Sequence, residues 1–185
     1  MQKSEPVIVR EAQEADAKAI IEYIKDNQDH YQYMISRTAE MNLDIAHEKQ
    51  MIRLHSERDN CVFFIAVQNK KVLGILNFVG GTRSRDKHDG EFGLSVHKDY
   101  FGRGIGSKLI ENLMRWGEKN IVIRRMTLFV MHSNQRAIRL YERYGFEVEG
   151  VRKEAVRFED SRIQDLVMMG IMKKEGSDEW TGARQ

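Results

Sequence analysis

Proline occurs once and cysteine once in 185 residues, and no apolar run approaches a membrane span. Each shortage excludes something. A lone thiol, Cys61, cannot form an intramolecular disulfide, and it fits a reducing, cytoplasmic setting. The longest apolar stretches, such as Cys61 to Val67, fall far short of the ~20 residues a spanning helix needs, so no membrane partner is expected. The start, Met1-Gln2-Lys3-Ser4-Glu5-Pro6, leads into only three apolar residues, so no secretory leader is expected. An excess of one charge is also missing. Thirty Lys plus Arg against 28 Asp plus Glu leave +2, without the basic block of a nucleic-acid binder, so no nucleic acid is expected. Six histidines are scattered and none pairs with cysteine at zinc-finger spacing, so no metal site is expected.

What is present is a globular balance, 41% hydrophobic and 31% charged, on a length suited to one core. Residues 1–173 are expected to form a single domain. The polar tail, 174–185, is expected to fray. Val7 to Arg10 reads as an opening strand. Ala17, Ile20, Ile21 and Ile24 recur at helical spacing within Glu14 to Asn27, and Ile45, Met51, Ile52 and Leu54 do so within Leu43 to His55. Between them, His30 to Ile35 is a connection rich in aromatics and methionine, either a loop tucked on the core or a pocket wall. Cys61–Val67 and Val72–Val79 read as a hairpin around Gln68-Asn69-Lys70-Lys71, followed by a strand over Glu91–Val96. The period then changes. Ile105, Leu109, Ile110, Leu113, Met114 and Trp116 line a helix over Ile105–Lys119. A strand (Met126–Met131), a helix (Asn134–Tyr144) and two strands close the order: a mixed α/β (α+β) domain around one sheet.

The most informative stretch is Phe101-Gly102-Arg103-Gly104-Ile105-Gly106-Ser107, which joins a strand to a helix. Alternate glycines let backbone N–H groups converge on a ligand without Cβ atoms in the way. The helix start adds unpaired donors and about half a positive charge, which together make a phosphate cradle. The spacing G-x-G-x-G fails the dinucleotide fingerprint, and no P-loop string occurs.

Phe101-Gly102-Arg103-Gly104-Ile105-Gly106 resembles the acetyl-CoA motif [QR]-x-x-G-x-[GA] of the GNAT (GCN5-related) N-acetyltransferase superfamily, with Phe101 where the family favours Gln or Arg. A second signature, N-x-x-A-x-x-x-Y-x-x-x-G-F, is matched by Asn134, Ala137, Tyr141, Gly145 and Phe146. The resemblance covers about residues 7 to 173. It is similar in its finer features to the spermidine, amino-acid and ribosomal-protein acetyltransferase branch, through residues 147–152 and Gln164-Asp165. It implies a GNAT-like acyl-CoA N-acyltransferase fold, with a central twisted, mostly antiparallel sheet and helices on both faces. The activity it implies is direct transfer of acetyl from acetyl-CoA to a primary amine.

The resemblance also assigns roles. Tyr141 is the candidate general acid, since a phenol keeps its proton at neutral pH. The backbone of Leu94, Ser95 and Val96 is expected to pair with the pantetheine arm. Phe101, Gly102, Arg103, Gly104, Ile105, Gly106 and Ser107 are expected to hold the pyrophosphate, with Arg103 adding a charge-assisted contact. Asn134 is expected to cap the last helix and reach the donor. The position where some members carry a fifth-strand glutamate is Phe129, which takes no proton; Glu91 lies at the start of the fourth strand, where other members place a glutamate acting through water, and the resemblance makes it the candidate base. His97 and His132 have suitable intrinsic pKa values but sit at strand ends.

The expected acceptor is a small amine of amino-acid or polyamine type, with Tyr31, Tyr33 and Phe78 as apolar surfaces. Acetylation of a protein N-terminus, a CoA-binding sensor and a generic phosphate-binding domain stay as alternatives, and a homodimer is left open.

Overall fold

A computed structural model of the protein describes residues 5–27, 33 and 40–182. Seven strands form one sheet: β1 (Ile8–Glu11), β2 (Cys61–Gln68), β3 (Lys71–Gly80), β4 (Asp89–Val96), β5 (Arg125–Met131), β6 (Glu147–Arg157) and β7 (Ile163–Met172). Their spatial order is β1-β2-β3-β4-β5-β7-β6. Every neighbouring pair is antiparallel except β4 with β5. The helices are α1 (Ala17–Asp26), α2 (Ile45–Glu57), α3 (Ile105–Lys119) and α4 (Gln135–Arg143).

Strand alternation assigns the two faces. On β2, Val62, Phe64 and Ala66 join a core with Ile105, Leu109, Ile110 and Leu113 of α3 and Ile138 and Tyr141 of α4. Phe63 and Ile65 turn to the opposite face and pack with Ala17, Ile20, Tyr23 and Ile24 of α1 and Ile52 of α2. Burial on both sides is why this strand reads as an unbroken apolar run. Fully burying each such side chain is worth about 1.5–3 kcal/mol. At α2, Asp44 accepts from the backbone N–H of Ala46 at 2.9 Å and of His47 at 3.1 Å, an N-cap that sets the helix start. The expected first helix divides: 14–16 form a 3-10 turn, held by the Arg10–Asp16 pair at 2.7 Å, and α1 begins after it.

Two expectations fail in the fold. Residues 174–182 do not fray. Trp180 is 1% exposed, its indole N–H donates to the Met114 carbonyl at 3.1 Å, and the Thr181 N–H donates to the Met172 carbonyl at 2.7 Å. Gly117 of α3 makes room for the indole, since a Cβ there would collide with the Trp180 ring and the Met126 side chain. One aromatic anchor thus ties a polar segment to the core. Phe78 is not a pocket surface either. It is fully buried, 5.3 Å from the Trp116 ring, because β3 directs it with Leu76 toward α3.

Cys61 is a buried free thiol. Among the described residues no helix is long and apolar enough to cross a membrane.

Candidate active site

The site begins where the sheet opens. β4 and β5 pair only at Asp89–Arg125, Gly90–Met126 and Glu91–Thr127. Past that point β4 continues along β3 to Val96, while β5 continues along β7 to Met131. The two strands therefore part. The edge of β4 over 92–96, where Leu94, Ser95 and Val96 were expected to meet a ligand, has no strand partner on its β5 side. Backbone groups left there need water or a ligand. The opening is a cleft of about 920 Å³, a size suited to an extended cosubstrate.

The glycine turn forms one end of the cleft. Gly102 (φ 79°) and Gly104 (φ 77°) are left-handed, a region where any other residue is strained. Gly104 is the N-cap of α3 and brings no side-chain cap, so the donors of the first helical turn stay open. Phe101, Gly102, Gly104, Ile105, Gly106 and Ser107 all line the cleft. With the helix dipole they offer what a pyrophosphate needs. Arg103 is not brought to that wall. Its guanidinium lies 4.8 Å from the centroid of the Tyr100 ring. The cation at the turn is Arg136, 5.2 Å over the Phe101 ring, with its Nη2 3.9 Å from where a Gly102 Cβ would stand. Arg143 lines the cleft as well. Sequence reasoning missed both arginines, although their places in the helix after Asn134 were a usable signal.

Tyr141 lines the cleft beside the splayed strand. Phe92 (5.8 Å, 77°) and Phe146 (6.1 Å, 67°) meet its ring edge to face. Burial pushes the phenol far above its ordinary value, so it is neutral throughout the physiological range. Asn134 lines the same wall, and its side chain accepts from the Ala137 N–H at 3.2 Å, which fulfils the expected cap.

The opposite side of the sheet supplies a second group. On β4, Phe92, Leu94 and Val96 face α3, so Glu91, Gly93 and Ser95 face the other way. Phe129 of β5, between Leu128 and Val130 of the core, shares that face. The Ser95 hydroxyl and the Tyr23 phenol are hydrogen-bonded at 2.8 Å. Asn27 ends α1 here, its side-chain Oδ1 accepting from the Lys98 backbone N–H at 3.1 Å. Tyr33 completes this wall. Tyr23 and Asn27 were not anticipated, though both continue the buried α1 stripe. The rest of the expected wall, His30, Tyr31, Gln32, Met34 and Ile35, lies outside the described residues.

Glu91 is open to solvent yet set in the concave wall. Partial desolvation pushes its carboxyl above the ordinary value, Arg152 opposes that shift, and Asp89 adds to it. His97 is buried beneath the strand end, between the Tyr23 and Tyr100 rings, and is not part of the cleft lining. His132 follows β5, and its N–H donates to the Asp165 carbonyl. Tyr144 donates to Glu111 at 2.9 Å and so acts in packing.

The sequence profile of the acetyltransferase (GNAT) family matches residues 20–146. An L-amino acid N-acetyltransferase of Escherichia coli is 29% identical over 99 residues, 54% of this chain. The chain spans 61% of that relative's length. A GNAT-family acetyltransferase from Streptococcus pneumoniae superposes with a TM-score of 0.86 at 26% identity, covering 90% of this chain and 99% of that one. A structure from Salmonella typhimurium, determined with its cofactor acetyl-CoA, superposes with a TM-score of 0.80 at 20% identity, covering 92% and 96%.

Proposed function

The chain belongs to the acetyltransferase (GNAT) family, and from that premise we propose that it transfers the acetyl group of acetyl-CoA directly to the primary amine of a small molecule. The observation that carries this reading is the joint placement of three features on one cleft. They are the left-handed glycine turn at the start of α3, the unpartnered edge of β4, and a buried neutral phenol beside that edge.

The residues fit the donor. Phe101 to Ser107 present backbone N–H groups and a helix start to the pyrophosphate, with Arg136 as the neighbouring cation. Leu94, Ser95 and Val96 offer the pantetheine arm a strand edge. Asn134 borders the same channel. Acetyl-CoA supplies an activated acyl carbon on a thiol leaving group. A neutral amine attacks that carbon, so an N–C bond forms as the C–S bond breaks. A backbone N–H of β4 polarises the acyl oxygen. Tyr141 gives its proton to the departing sulfur, whose thiol has an ordinary pKa near ~8.5. Glu91, directly or through water, takes the proton that the amine sheds.

Calorimetry with acetyl-CoA, followed by CoA release with a panel of primary amines, tests the proposal. Binding with amine-dependent release and a mass gain of one acetyl on the amine is the expected result. Binding without turnover of any amine would point to a sensor module. No binding would end the donor assignment.

A further inference from the structure

Arg152 is the charged group the mechanism leaves unused. On β6 it is registered with Leu166 of β7, and Phe129 of β5 with Met168 of β7. Leu166 and Met168 alternate with Val167 and Met169, which belong to the α3 core. Arg152 and Phe129 therefore share the sheet face that also carries Glu91. The Arg152 guanidinium stands 5.6 Å over the Phe129 ring, and Phe129 lines the cleft. Its charge acts on Glu91, yet the two form no ion pair. Among the described residues Arg152 makes no hydrogen bond or salt bridge, while its strand neighbours Glu149 and Lys153 are paired with Arg125 and Asp165. An exposed cation is thus held beside the cleft by a phenyl face, with its five donors unspent.

We propose that Arg152 reads a carboxylate on the acceptor, so that the substrate is a free α-amino acid whose amine is presented to Glu91 while its carboxylate meets the guanidinium. This rests on the acetyl-transfer reading above. An α-amino acid carries its two charged groups one carbon apart, and Glu91 of β4 and Arg152 of β6 stand apart on one sheet face, with Phe129 under the guanidinium and no ion pair between them. A zwitterion bridges such a gap with each end on its opposite charge. The same unpaired cation repels a polyamine, which has no carboxylate to offer. Guanidinium also matches carboxylate bidentately, which an ammonium does not.

Matched substrates test the assignment: leucine against 3-methylbutylamine, and phenylalanine against phenethylamine, each followed by CoA release. A charged hydrogen bond sets the expected preference for the amino acid at about ten- to a hundredfold in kcat/KM. Arg152→Gln should raise KM for the amino acid and erase the preference. The amine's kcat/KM should not fall, since losing the cation only removes a repulsion, acetyl-CoA affinity should stay unchanged, and Arg152→Lys should recover part of the effect. The side chain is exposed, so a thermal melt should show both variants folded. Calorimetric titration of the CoA-loaded chain with leucine reads the same guanidinium without turnover. Equal use of acid and amine, or equal losses for both in Arg152→Gln, overturns the carboxylate assignment and leaves acetyl transfer standing. Arg152-dependent binding of leucine without acetylation of any amine overturns acetyl transfer and leaves the carboxylate site standing.

Discussion

Replacing Tyr141 with phenylalanine removes one oxygen and little else. The ring keeps its edge-to-face neighbours, Phe92 at 5.8 Å and Phe146 at 6.1 Å, because those contacts involve only the aromatic carbons. No hydrogen bond from the phenol to a described residue is lost, so the change is nearly isosteric and should cost less than about 1.5 kcal/mol of stability. The rate consequence is of another size. Without an acid, the thiolate must leave unprotonated, and a positioned general acid is worth about 10²–10⁴-fold. We expect kcat to fall by at least about a hundredfold, or 2.7 kcal/mol in the barrier at 1.36 kcal/mol per decade. The acetyl-CoA dissociation constant should move less than about threefold, since the proposed role sets Tyr141 at the reacting sulfur, away from the glycine turn proposed for the phosphates.

The pH profile separates this from a general disturbance of the site. Burial raises the phenol, so its neutral, donating form persists to higher pH than an exposed tyrosine allows. The wild-type rate should therefore show no alkaline decline through about pH 9.5, below the ordinary phenol value of ~10. Glu91 is also raised, by desolvation, so its basic form is lost as pH falls through a value above that of an ordinary glutamate. The acidic limb of kcat/KM should lie correspondingly high and should change in Glu91→Gln. The measurement is CoA release against pH for wild type and both variants, beside acetyl-CoA calorimetry. If Tyr141→Phe binds acetyl-CoA normally and keeps kcat within threefold, the phenol is not the acid and the thiolate leaves unaided.

Two further changes test the turn and the tail. Gly104→Ala places a methyl at φ 77° in space where no other atom lies within 4 Å, so the fold loses only the left-handed cost, about 1–2 kcal/mol. The methyl nevertheless occupies the approach to the helix start, so acetyl-CoA should bind at least tenfold more weakly by calorimetry; unchanged affinity would remove the turn from the donor site. Trp180→Ala empties the space opposite Gly117 and should cost about 3–5 kcal/mol. At roughly 2–4 °C per kcal/mol for a chain of this size, the melting point should fall by about 6–20 °C, whereas a loss under 1 kcal/mol would mean that the segment is not anchored.

The parts of the site legible in the sequence are those set by local rules. Gly102 and Gly104 announce a backbone only glycine adopts easily, and α3 shows its buried face as a 3.6-residue period that ends where the structure ends it. Asn134 reads as a cap because a cap is a matter of one side chain and the next turn. The rest depends on pairing between distant strands. Nothing near Leu94 signals that β4 will leave β5 after Glu91, because the cause lies in which strand each keeps as its other partner. Side-chain direction is equally non-local. Arg103 sits inside the motif and turns onto Tyr100, while Arg136, a helix away, reaches Phe101. Phe78 and Trp180 fail for opposite reasons: one was offered to the pocket but alternates into the core, and the other stood alone in a polar tail where composition outweighed one large apolar ring. The acceptor side is the extreme case. Glu91, Phe129 and Arg152 are 38 and 23 residues apart in sequence, and only the registers of β5 and β6 with β7, read together with the faces of β4 and β5, show that they look the same way. In this fold the donor site is built from backbone conformation and announces itself in glycines. Under the proposed carboxylate reading, discrimination among amines rests on charges that the sheet brings together, so a family motif can identify the donor while leaving the acceptor to be found from face and register.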